Sequence, residues 1–523
     1  MGNKKGAGSP RMAPARCRLV TALLLATAFA VTIPHVADNL WTRSVDFGGH
    51  YALVARIMEF GHAPATDDPS LGLWNGYPNL GHSVAAAIGK IVGSGLLGMQ
   101  LTASIALTIL WASIGLMFFS LTGRRLWIGC ISAICILILN RLVVHLELYG
   151  NELLGNYFFA QLVAQAAALG TLALVLYMER ANADPRLRYA VCGVAVPIIA
   201  QIHPLPAFEV LLILTLDILV SVAWPRTIPR RALLAVGLGV AAAALLLTVS
   251  SPAFAVIRKN SENNGVLDLR YTPAPEFLAI EATMILFVSV FLCREWVRAP
   301  TEQDRRELLT LRYWALLGAS TAALCLLQYL TLRLGLGSDY AVKKYAFGLN
   351  TVLLLAFPLL AGQLGLVGRK PGEETLDRLT ACSRYAIPAL FVIVGLYAVL
   401  PAASSRLTTI QELLPIERFA MRYRQAEPGS ISGKYDYAVG LFDAHPLVDF
   451  VISIGVLKAP QTRNVDDFYG GRLPSNSRRV GRIFTRQGSV PWDVPDCRQL
   501  ATPDGFAILD GSCVLRSLMD TGE

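Results

Sequence analysis

The sequence has little charge for its length. Only 16% of the 523 residues are Asp, Glu, Lys or Arg, whereas 54% are hydrophobic. A soluble chain of this size needs more charge to cover its surface. The apolar residues are also grouped into runs long enough to cross a bilayer. The composition therefore argues against a soluble protein and predicts an α-helical polytopic membrane protein.

Several signatures of soluble enzymes and metal proteins are missing as well. The sequence has no internal repeat, no CxxC pair and no Cys/His zinc spacing, and its C-terminal part has no serine-hydrolase elbow and no phosphate loop. Seven of the nine cysteines lie in or beside apolar runs, where cysteine is usually a small hydrophobe. Cys497 and Cys513 lie in the polar C-terminal part. If that part is in an oxidising compartment, we expect a disulfide between them.

About eleven apolar runs have the length of membrane spans. They lie near residues 17–36, 101–122, 126–140, 158–178, 188–203, 206–223, 232–250, 277–293, 311–331, 347–367 and 385–404. The first run follows a basic stretch and resembles a signal peptide. Because ten further runs follow it, we interpret it as an uncleaved first helix.

The distribution of arginine predicts the orientation. If the N-terminus is cytoplasmic, the loops on that side hold most of the arginines, as the positive-inside rule requires. The net charge of +9 then reflects topology and gives no reason to expect nucleic acid as a partner. An odd number of spans places the C-terminus outside. We therefore expect a transmembrane module at 1–404, with a long outer loop at 37–100, and a small extracytoplasmic α+β domain at 405–523.

Within that last domain, an amphipathic helix is expected near 408–424, followed by strand-like runs at Leu447–Leu457 and Phe506–Leu515. All seven histidines fall at outer ends of spans, in outer loops or in the C-terminal domain. This one-sided distribution indicates that any chemistry faces outward, unless histidine is merely kept out of the hydrocarbon.

The first outer loop begins with candidate catalytic residues. A helix starting near Asp46 puts His50 one turn later on the same face. A carboxylate there suits a general base or a metal ligand, although an N-capping Asp on a surface helix is the plainer interpretation. Asp67, Asp68 and His82 follow in the same loop. Paired acids can bind a divalent ion, but an Asp-Asp-Pro turn needs none.

Other outer positions offer substrate, metal or phosphate ligands. Glu147 lies in the second outer loop and His203 ends a span, and both also suit a solvated or interfacial position. Lys343 and Lys344 are adjacent on the outer face, against the positive-inside trend. Lysine pairs with phosphate as a point charge, so these residues, with Arg258, suit a lipid-linked phosphate. Contact with lipid headgroups is the alternative.

Together these features resemble the GT-C superfamily of membrane glycosyltransferases. The resemblance is carried by the loop arrangement, the helix pattern at Asp46–Gly61, Tyr77-Pro78, and Tyr340, Lys343 and Tyr345. It implies that Asp46 and His50 are catalytic and that Lys343, Lys344 and Arg258 hold the donor phosphate. It also implies supporting roles for Asp67 or Asp68. Phe47 follows Asp46 where several families have an Asp-Glu pair, and this departure leaves open whether Mg²⁺ or Mn²⁺ is needed.

The implied function is inverting transfer of a sugar from a polyprenyl-phosphate carrier to a glycan, lipid or protein acceptor. It would take place at the outer face of the bacterial inner membrane. Two other classes stay open. A transporter or flippase of a lipid-linked glycan should carry charged residues deep in its spans. A non-catalytic envelope assembly protein would keep the fold without the chemistry.

Overall fold

The computed structural model describes most of the chain. The described residues are 23–24, 26–30, 33, 46–64, 68–119, 121, 123–222, 229–260, 267, 269, 274–299, 301–364, 386–400, 409–425, 433–442, 447–461, 479–490 and 495–521. Three expected features fall outside them: Asp67, His445 and most of the first apolar run.

Most of the described chain is helical. The helices that precede residue 400 are α1 (Asp46–Phe60), α2 (Leu80–Val92), α3 (Gly95–Phe119), α4 (Gly123–Leu139), α5 (Asn151–Asn156), α6 (Phe159–Arg180), α7 (Pro185–Ala200), α8 (Pro204–Val222), α9 (Arg230–Val249), α10 (Pro252–Asn260), α11 (Pro275–Arg298), α12 (Glu302–Glu307), α13 (Leu309–Arg333), α14 (Asp339–Lys343), α15 (Ala346–Leu364) and α16 (Ile387–Val399). A π-helical turn, Asn140–Val144, extends α4. Helices satisfy their own backbone hydrogen bonds, which is what a bilayer requires of long apolar runs.

Eight stretches among the described residues are long and apolar enough to span a membrane, so this is a multi-pass membrane protein. They are Gly95–Phe119, Arg125–Val144, Phe159–Arg180, Pro204–Ser221, Arg230–Val249, Pro275–Arg298, Leu309–Arg333 and Asp339–Gly362. Two further expected spans are shorter helices, α7 with 16 residues and α16 with 13. The expected total of about eleven is therefore not reached within the described chain.

The described part of the expected first outer loop (37–100) packs closely on the membrane-spanning helices. The helix expected at Asp46 is present as α1, and α2 lies against the start of α3. At Gly98 of α3 a Cβ atom would lie 2.4 Å from the carbonyl oxygen of Ala85. Only glycine permits this approach. The apolar, glycine-rich stretch at 83–98 thus divides into two helices joined by a tight turn.

The C-terminal segment (residues 405–523) carries the four-stranded sheet. Its elements are α17 (Ile410–Tyr423), β1 (Tyr435–Ala438), α18 (Leu447–Gly455), β2 (Val480–Arg486), β3 (Arg498–Ala501), β4 (Phe506–Asp510) and α19 (Gly511–Thr521). The strand order is β1-β2-β4-β3, with β1 parallel to β2 and the other pairs antiparallel. A disulfide joins Cys497 and Cys513, whose Cα atoms are 5.5 Å apart.

One expectation for this segment is wrong and a second holds in part: of the strand-like run expected at Phe506–Leu515, Phe506–Asp510 is a strand, and Gly511 begins α19. Leu447–Gly455 is a helix, whereas the sequence predicted a strand there. The run is apolar throughout and every residue in it is buried, since α18 lies between α1 and β1. A short run with no polar face has no period that would separate a buried helix from a buried strand. The amphipathic helix expected near 408–424 is confirmed as α17.

Candidate functional site

A cavity of about 240 Å³ lies beside the N-terminal end of α1. We call it the Asp46 cavity. It is built from α1, the first outer loop, the starts of α6 and α8, α13, and the α14 region, with one residue from the C-terminal segment. Four of the residues singled out from the sequence as site candidates line it: Asp46, His50, His203 and Lys344.

Asp46 is the first residue of α1 and is partly exposed to the cavity. The positive end of the helix dipole favours its carboxylate. Burial raises the pKa of Asp46 above its ordinary value, and the nearby charge of Lys344 pulls the pKa back down. A carboxylate with a raised pKa is a better proton acceptor than a solvated one.

Lys344 follows directly after α14, and its positive charge interacts with the carboxylate of Asp46. Its ammonium nitrogen lies 4.4 Å from the centre of the Tyr340 ring and 4.9 Å from that of Phe158. Aromatic faces attract a cation without neutralising it. These two rings hold the Lys344 ammonium at the cavity wall, where it suits binding of an anionic group.

His50 is almost fully buried behind Asp46 and contacts His82. The His50 Nδ1 and His82 Nε2 atoms are 2.8 Å apart, and the His50 ring lies 4.3 Å from that of Trp74. Burial lowers the pKa of both histidines, to about 3 for His82, and the charges of His82, His203 and Lys344 add to the effect at His50. Both rings are therefore neutral near pH 7, with one nitrogen donating to the other.

His203 lies at the start of α8 on the wall of the cavity. Its Nδ1 accepts a hydrogen bond from the Leu205 backbone N–H at 3.3 Å, and its side chain is 4% exposed. Burial, with a smaller contribution from Lys344, lowers the pKa of His203 well below its usual value. It offers a neutral imidazole to whatever fills the cavity.

The two lysines expected to act together are separated. Lys343 forms an ion pair with Asp339 at 2.8 Å, one turn earlier in α14, and does not line the cavity. Successive residues of a helix point in directions roughly 100° apart, so two adjacent lysines rarely share one target. Arg258 is an exposed residue of α10 and is not in the cavity wall either.

The remaining sequence candidates have positions outside the cavity wall. Asp68 accepts from Arg56 Nε at 3.1 Å and from the Ser70 backbone N–H at 2.9 Å, which makes it part of a turn. His82 lies behind His50. The Glu147 carbonyl oxygen accepts a hydrogen bond from Asn350 at 3.0 Å in the loop before α5. Asp67 lies outside the described residues.

Several residues in the cavity wall had not been singled out from the sequence as site residues. Those with a polar group are Trp74 and three glutamines, Gln161, Gln328 and Gln461. Gln161 and Gln328 are polar residues within apolar runs, a pattern that marks functional positions in membrane helices. Gln461 belongs to the C-terminal segment, and no sequence pattern connects it with the first outer loop.

The C-terminal segment holds α1 in place. At Gly48 of α1 a Cβ atom would lie 2.9 Å from Cε1 of Phe450 in α18. The fully buried Arg56 donates to the carbonyl oxygens of Ile454, at 2.9 Å, and Gly455, at 3.1 Å. The Gln461 backbone N–H donates to the Pro69 carbonyl at 3.0 Å. The C-terminal segment thus contacts both the helix that carries Asp46 and the loop that follows it.

A second contact joins α17 to the start of α3. The buried Glu417 carboxylate accepts from the Tyr51 hydroxyl at 2.7 Å and from the backbone N–H groups of Gly95, at 3.0 Å, and Leu96, at 3.2 Å. The Ser94 hydroxyl also donates to it. These bonds satisfy donors that the first turn of a helix leaves unpaired. Burial raises the pKa of Glu417, and the hydrogen bonds oppose that rise.

The described residues do not form a recognisable metal centre. No group of three or more His, Cys, Asp or Glu side chains in this part of the chain is arranged to hold a metal ion. Asp46 is the one carboxylate among the described residues that line the cavity. The donor set therefore does not fit a divalent cation bound by the protein alone.

No protein-family model matches the sequence, and no curated protein matches it. Solved structures of the Archaeoglobus fulgidus oligosaccharyltransferase are similar to this chain, at low sequence identity and low TM-score. The complex with Zn and sulfate has a TM-score of 0.35 and 13% identity, covering 94% of this chain and 73% of that one. The complex with an inhibitory peptide and a dolichol-phosphate has a TM-score of 0.36 and 11% identity, covering 90% and 70%. At these values the likeness carries no argument about the family, the donor, the acceptor or the role of any residue.

Proposed function

We propose that the protein is a membrane glycosyltransferase that moves a sugar from a polyprenyl-phosphate carrier to a cell-envelope glycan, lipid or protein. One observation carries the proposal. An acid with a raised pKa, Asp46, and a cation held by aromatic rings, Lys344, line the same cavity beside the membrane-spanning helices. Sugar transfer from a lipid phosphate needs a base for the acceptor and a cation for the leaving group.

The proposed step is a single displacement. The acceptor hydroxyl oxygen attacks the sugar C1 atom, a C1–O bond to the acceptor forms, and the C1–O bond to phosphate breaks. The electron pair of the broken bond goes to the carrier phosphate, and the hydroxyl proton goes to the Asp46 carboxylate. Lys344 stabilises the negative charge that develops on the phosphate. Attack from the side opposite the leaving group inverts the configuration at C1.

The proposed location is the outer face of a bacterial inner membrane, with the N-terminus cytoplasmic. The one-sided arginine distribution supports this orientation. The disulfide Cys497–Cys513 supports it independently, since such bonds persist in oxidising compartments. A reporter that is active only in the cytoplasm should be inactive when it is fused after Glu523. Activity of that fusion would show that the C-terminus is cytoplasmic and would contradict the proposed orientation.

A transporter of lipid-linked glycans is the alternative, and the acids within spans bear on it. Glu209 accepts hydrogen bonds from Gln165 at 3.0 Å and from Thr321 at 3.1 Å. Asp217 forms a buried ion pair with Arg312. Both acids are tied to protein partners that account for their burial. Neither needs a transported ion to explain it, and in this respect both favour the enzyme. A third buried acid within a span, Glu281 of α11, has an Oε1 atom with no hydrogen-bond partner among the described residues and does not decide between the two functions.

The test compares Asp46→Asn with Lys344→Ala and with the matched control Lys343→Ala. Transfer of labelled sugar from a polyprenyl phosphate into membrane glycans is measured in membranes that contain each variant. Loss of a general base lowers a rate by roughly 10²–10⁴-fold, so Asp46→Asn should leave almost no transfer. Lys344→Ala should raise the KM for the carrier and also lower kcat, because the phosphate is charged in the bound carrier and gains further negative charge as the C1–O bond breaks. Lys343→Ala should stay near wild type because its side chain pairs outside the cavity.

Two results would contradict the proposal. Wild-type transfer by Asp46→Asn would show that Asp46 is not the base. Equal effects of Lys343→Ala and Lys344→Ala would show that Lys344 is not a specific ligand of the carrier phosphate. Undiminished transport of a lipid-linked glycan by the Asp46→Asn protein would favour the transporter. Each variant must be shown to reach the membrane at the level of the wild type.

A further inference from the structure

His203 presents a hydrogen-bond donor to the Asp46 cavity. Its Nδ1 atom accepts from the Leu205 backbone N–H at 3.3 Å, and a backbone N–H can only donate. The ring is neutral because burial lowers the pKa of His203. A neutral imidazole carries one proton, so the proton of His203 must be on Nε2. Because His203 lines the cavity, its Nε2–H is the polar group that this ring can offer to a ligand.

His50 and His82 can form their hydrogen bond in two ways. The bond joins Nδ1 of His50 to Nε2 of His82, which lie 2.8 Å apart. If His50 donates, its own Nε2 is a bare lone pair and the proton of His82 is on Nδ1. If His82 donates, both assignments are reversed. The direction of this bond therefore decides whether His50 offers the cavity an acceptor or a donor.

The surroundings of His82 favour donation by His50. The Pro78 carbonyl opposes the fall that burial causes in the pKa of His82, which is the effect of an oxygen that attracts a ring N–H. Since Nε2 of His82 faces His50, Nδ1 is the nitrogen left for this carbonyl. Nδ1 does not reach full hydrogen-bond geometry, but a carbonyl oxygen repels a bare lone pair and attracts an N–H. With its proton on Nδ1, neutral His82 has Nε2 as an acceptor.

His50 therefore turns a lone pair toward the cavity. Its ring lines the wall and packs against Trp74, with ring centres 4.3 Å apart, and against Phe159, at 5.6 Å. Among the described residues, Nδ1 of His82 is buried without a partner, whereas Nε2 of His50 is not closed off in this way. The aromatic contacts hold the ring, so the direction of its lone pair is set before a ligand enters.

The two histidines of the wall are held in one frame. The start of α2, which carries His82, is bonded to the turn before His203, because the Leu80 backbone N–H donates to the Gln201 carbonyl at 3.1 Å. His203 is also close enough to His50 for its charge to lower the pKa of His50. One neutral acceptor and one neutral donor, each of fixed sense, thus lie in the same wall.

Hydroxyl groups match this pair, because a hydroxyl both donates and accepts. A ligand that contacts both rings must donate to His50 and accept from His203. A phosphate oxygen only accepts and would meet the lone pair of His50 with another lone pair. An ammonium group only donates and would meet the N–H of His203 with another N–H.

We propose that His50 and His203 bind hydroxyl groups of the substrate, His50 as acceptor and His203 as donor, and that His82 is the positioning residue that fixes the tautomer of His50. The proposal rests on the proposed function and adds two binding residues to its site. Asp46 keeps the role of base and Lys344 that of phosphate ligand. The hydroxyl groups belong to the transferred sugar or to the acceptor, which share this chemistry.

The first experiment reads the tautomers without any substrate. Full-length protein with isotope-labelled histidine is placed in lipid nanodiscs, and nitrogen NMR shifts separate protonated from bare ring nitrogens. His50→Gln and His203→Gln assign the signals. His50 should be protonated at Nδ1 and His203 at Nε2, and a proton on Nε2 of His50 would overturn the proposal.

Variants of His82 test its positioning role. His82→Phe keeps a ring but cannot accept, so the signal of His50 should no longer show a proton only on Nδ1. His82→Gln supplies an amide oxygen that can accept, so the wild-type tautomer of His50 should return. A purely structural role of His82 would leave the tautomer unchanged in both variants, and that result would overturn the positioning role.

The second experiment measures binding with two probes, a short prenyl phosphate and the same prenyl phosphate carrying one hexose. Dissociation constants come from displacement of a fluorescent prenyl phosphate. His50→Phe and His203→Phe should each weaken the hexose probe about fivefold, the worth of one net hydrogen bond, and leave the bare prenyl phosphate unchanged. Retained binding of the bare probe shows that each variant is folded. His62→Phe is the matched control, because His62 is exposed in the same outer loop.

The outcomes distinguish the source of the hydroxyl groups and the two proposals. Weaker binding of the hexose probe assigns them to the transferred sugar, and unchanged binding with about fivefold slower transfer in membranes assigns them to the acceptor. Unchanged binding and unchanged transfer in both phenylalanine variants overturn the inference and leave the transferase proposal standing. Equal weakening of both probes also overturns the inference. Failure of the wild-type protein to bind either probe overturns the proposed function and the inference with it.

Discussion

Arg56 should be one of the most sensitive positions in the first outer loop. Its guanidinium is fully buried and donates to the Ile454 and Gly455 carbonyl oxygens and to the Asp68 carboxylate. Replacement by methionine keeps much of the volume and removes every donor. Removing one partner of a buried ion pair costs roughly 3–5 kcal/mol because the groups left behind stay unpaired. Asp68 keeps its bonds from Ser70 and is partly exposed, so the two carbonyls should account for most of the loss.

Hydrogen exchange measures this loss where it occurs. Since 1.4 kcal/mol is a factor of ten, a local loss of 3–5 kcal/mol should speed exchange about 10²- to 10³·⁵-fold. The affected amides should be those of α1 and α18. Arg56→Lys should fall between wild type and Arg56→Met, because a single ammonium cannot reach all three acceptors as the planar guanidinium does.

Arg516→Met serves as the matched control, because Arg516 is exposed on α19. Surface substitutions of this kind usually change stability by less than about 0.5 kcal/mol. Unchanged exchange of α1 and α18 in Arg56→Met would refute the idea that this residue joins the two. Equal acceleration in the Arg516 control would mean that the effect is global.

Three other expectations follow from the same structure. The rate should fall on the acid side at a pH above the ordinary pKa of an aspartate, because Asp46 must be ionised to accept a proton and burial raises its pKa. Lys344→Met should move this fall to still higher pH, because it removes the charge that lowers the pKa of Asp46. Gly49→Ala should lower both activity and melting temperature, since its Cβ would lie 1.9 Å from Nε1 of Trp74, whereas Gly239→Ala meets open space and should be tolerated. Reducing the disulfide, which closes a sequence separation of 16, should destabilise the C-terminal segment by roughly 3 kcal/mol in thermal unfolding.

The membrane-spanning helices and the position of Asp46 at a helix start could be predicted because their sequence signals are local. Long apolar runs can only be helices in a bilayer, and Asp46 begins a helix at the position where the sequence indicates one. Lys344 was singled out because two lysines on the outer face break a charge trend. Sequence could not separate Lys344 from Lys343, since the direction in which each points depends on the helical turn that α14 adopts.

Other features depend on packing that no local pattern records. The 447–457 run is apolar on all sides, and only its burial between α1 and the sheet makes it a helix. Gln461 reaches the cavity through a backbone bond to Pro69, nearly four hundred residues earlier in the chain. The pairing of His50 with His82 joins two helices of the first loop. Each of these required the tertiary structure.

The geometry of the site gives the C-terminal segment a structural role at the start of α1. The start of α1 is glycine-rich, with Gly48 and Gly49 in its first turn, and such a turn has little intrinsic helical stability. Its stability must come from tertiary packing, which α18 supplies at Gly48 and the Arg56 contacts supply further along. Because Asp46 is the first residue of that helix, its distance from Lys344 depends on the same packing. Any motion of the C-terminal segment would therefore change the separation of the proposed base and the proposed phosphate ligand.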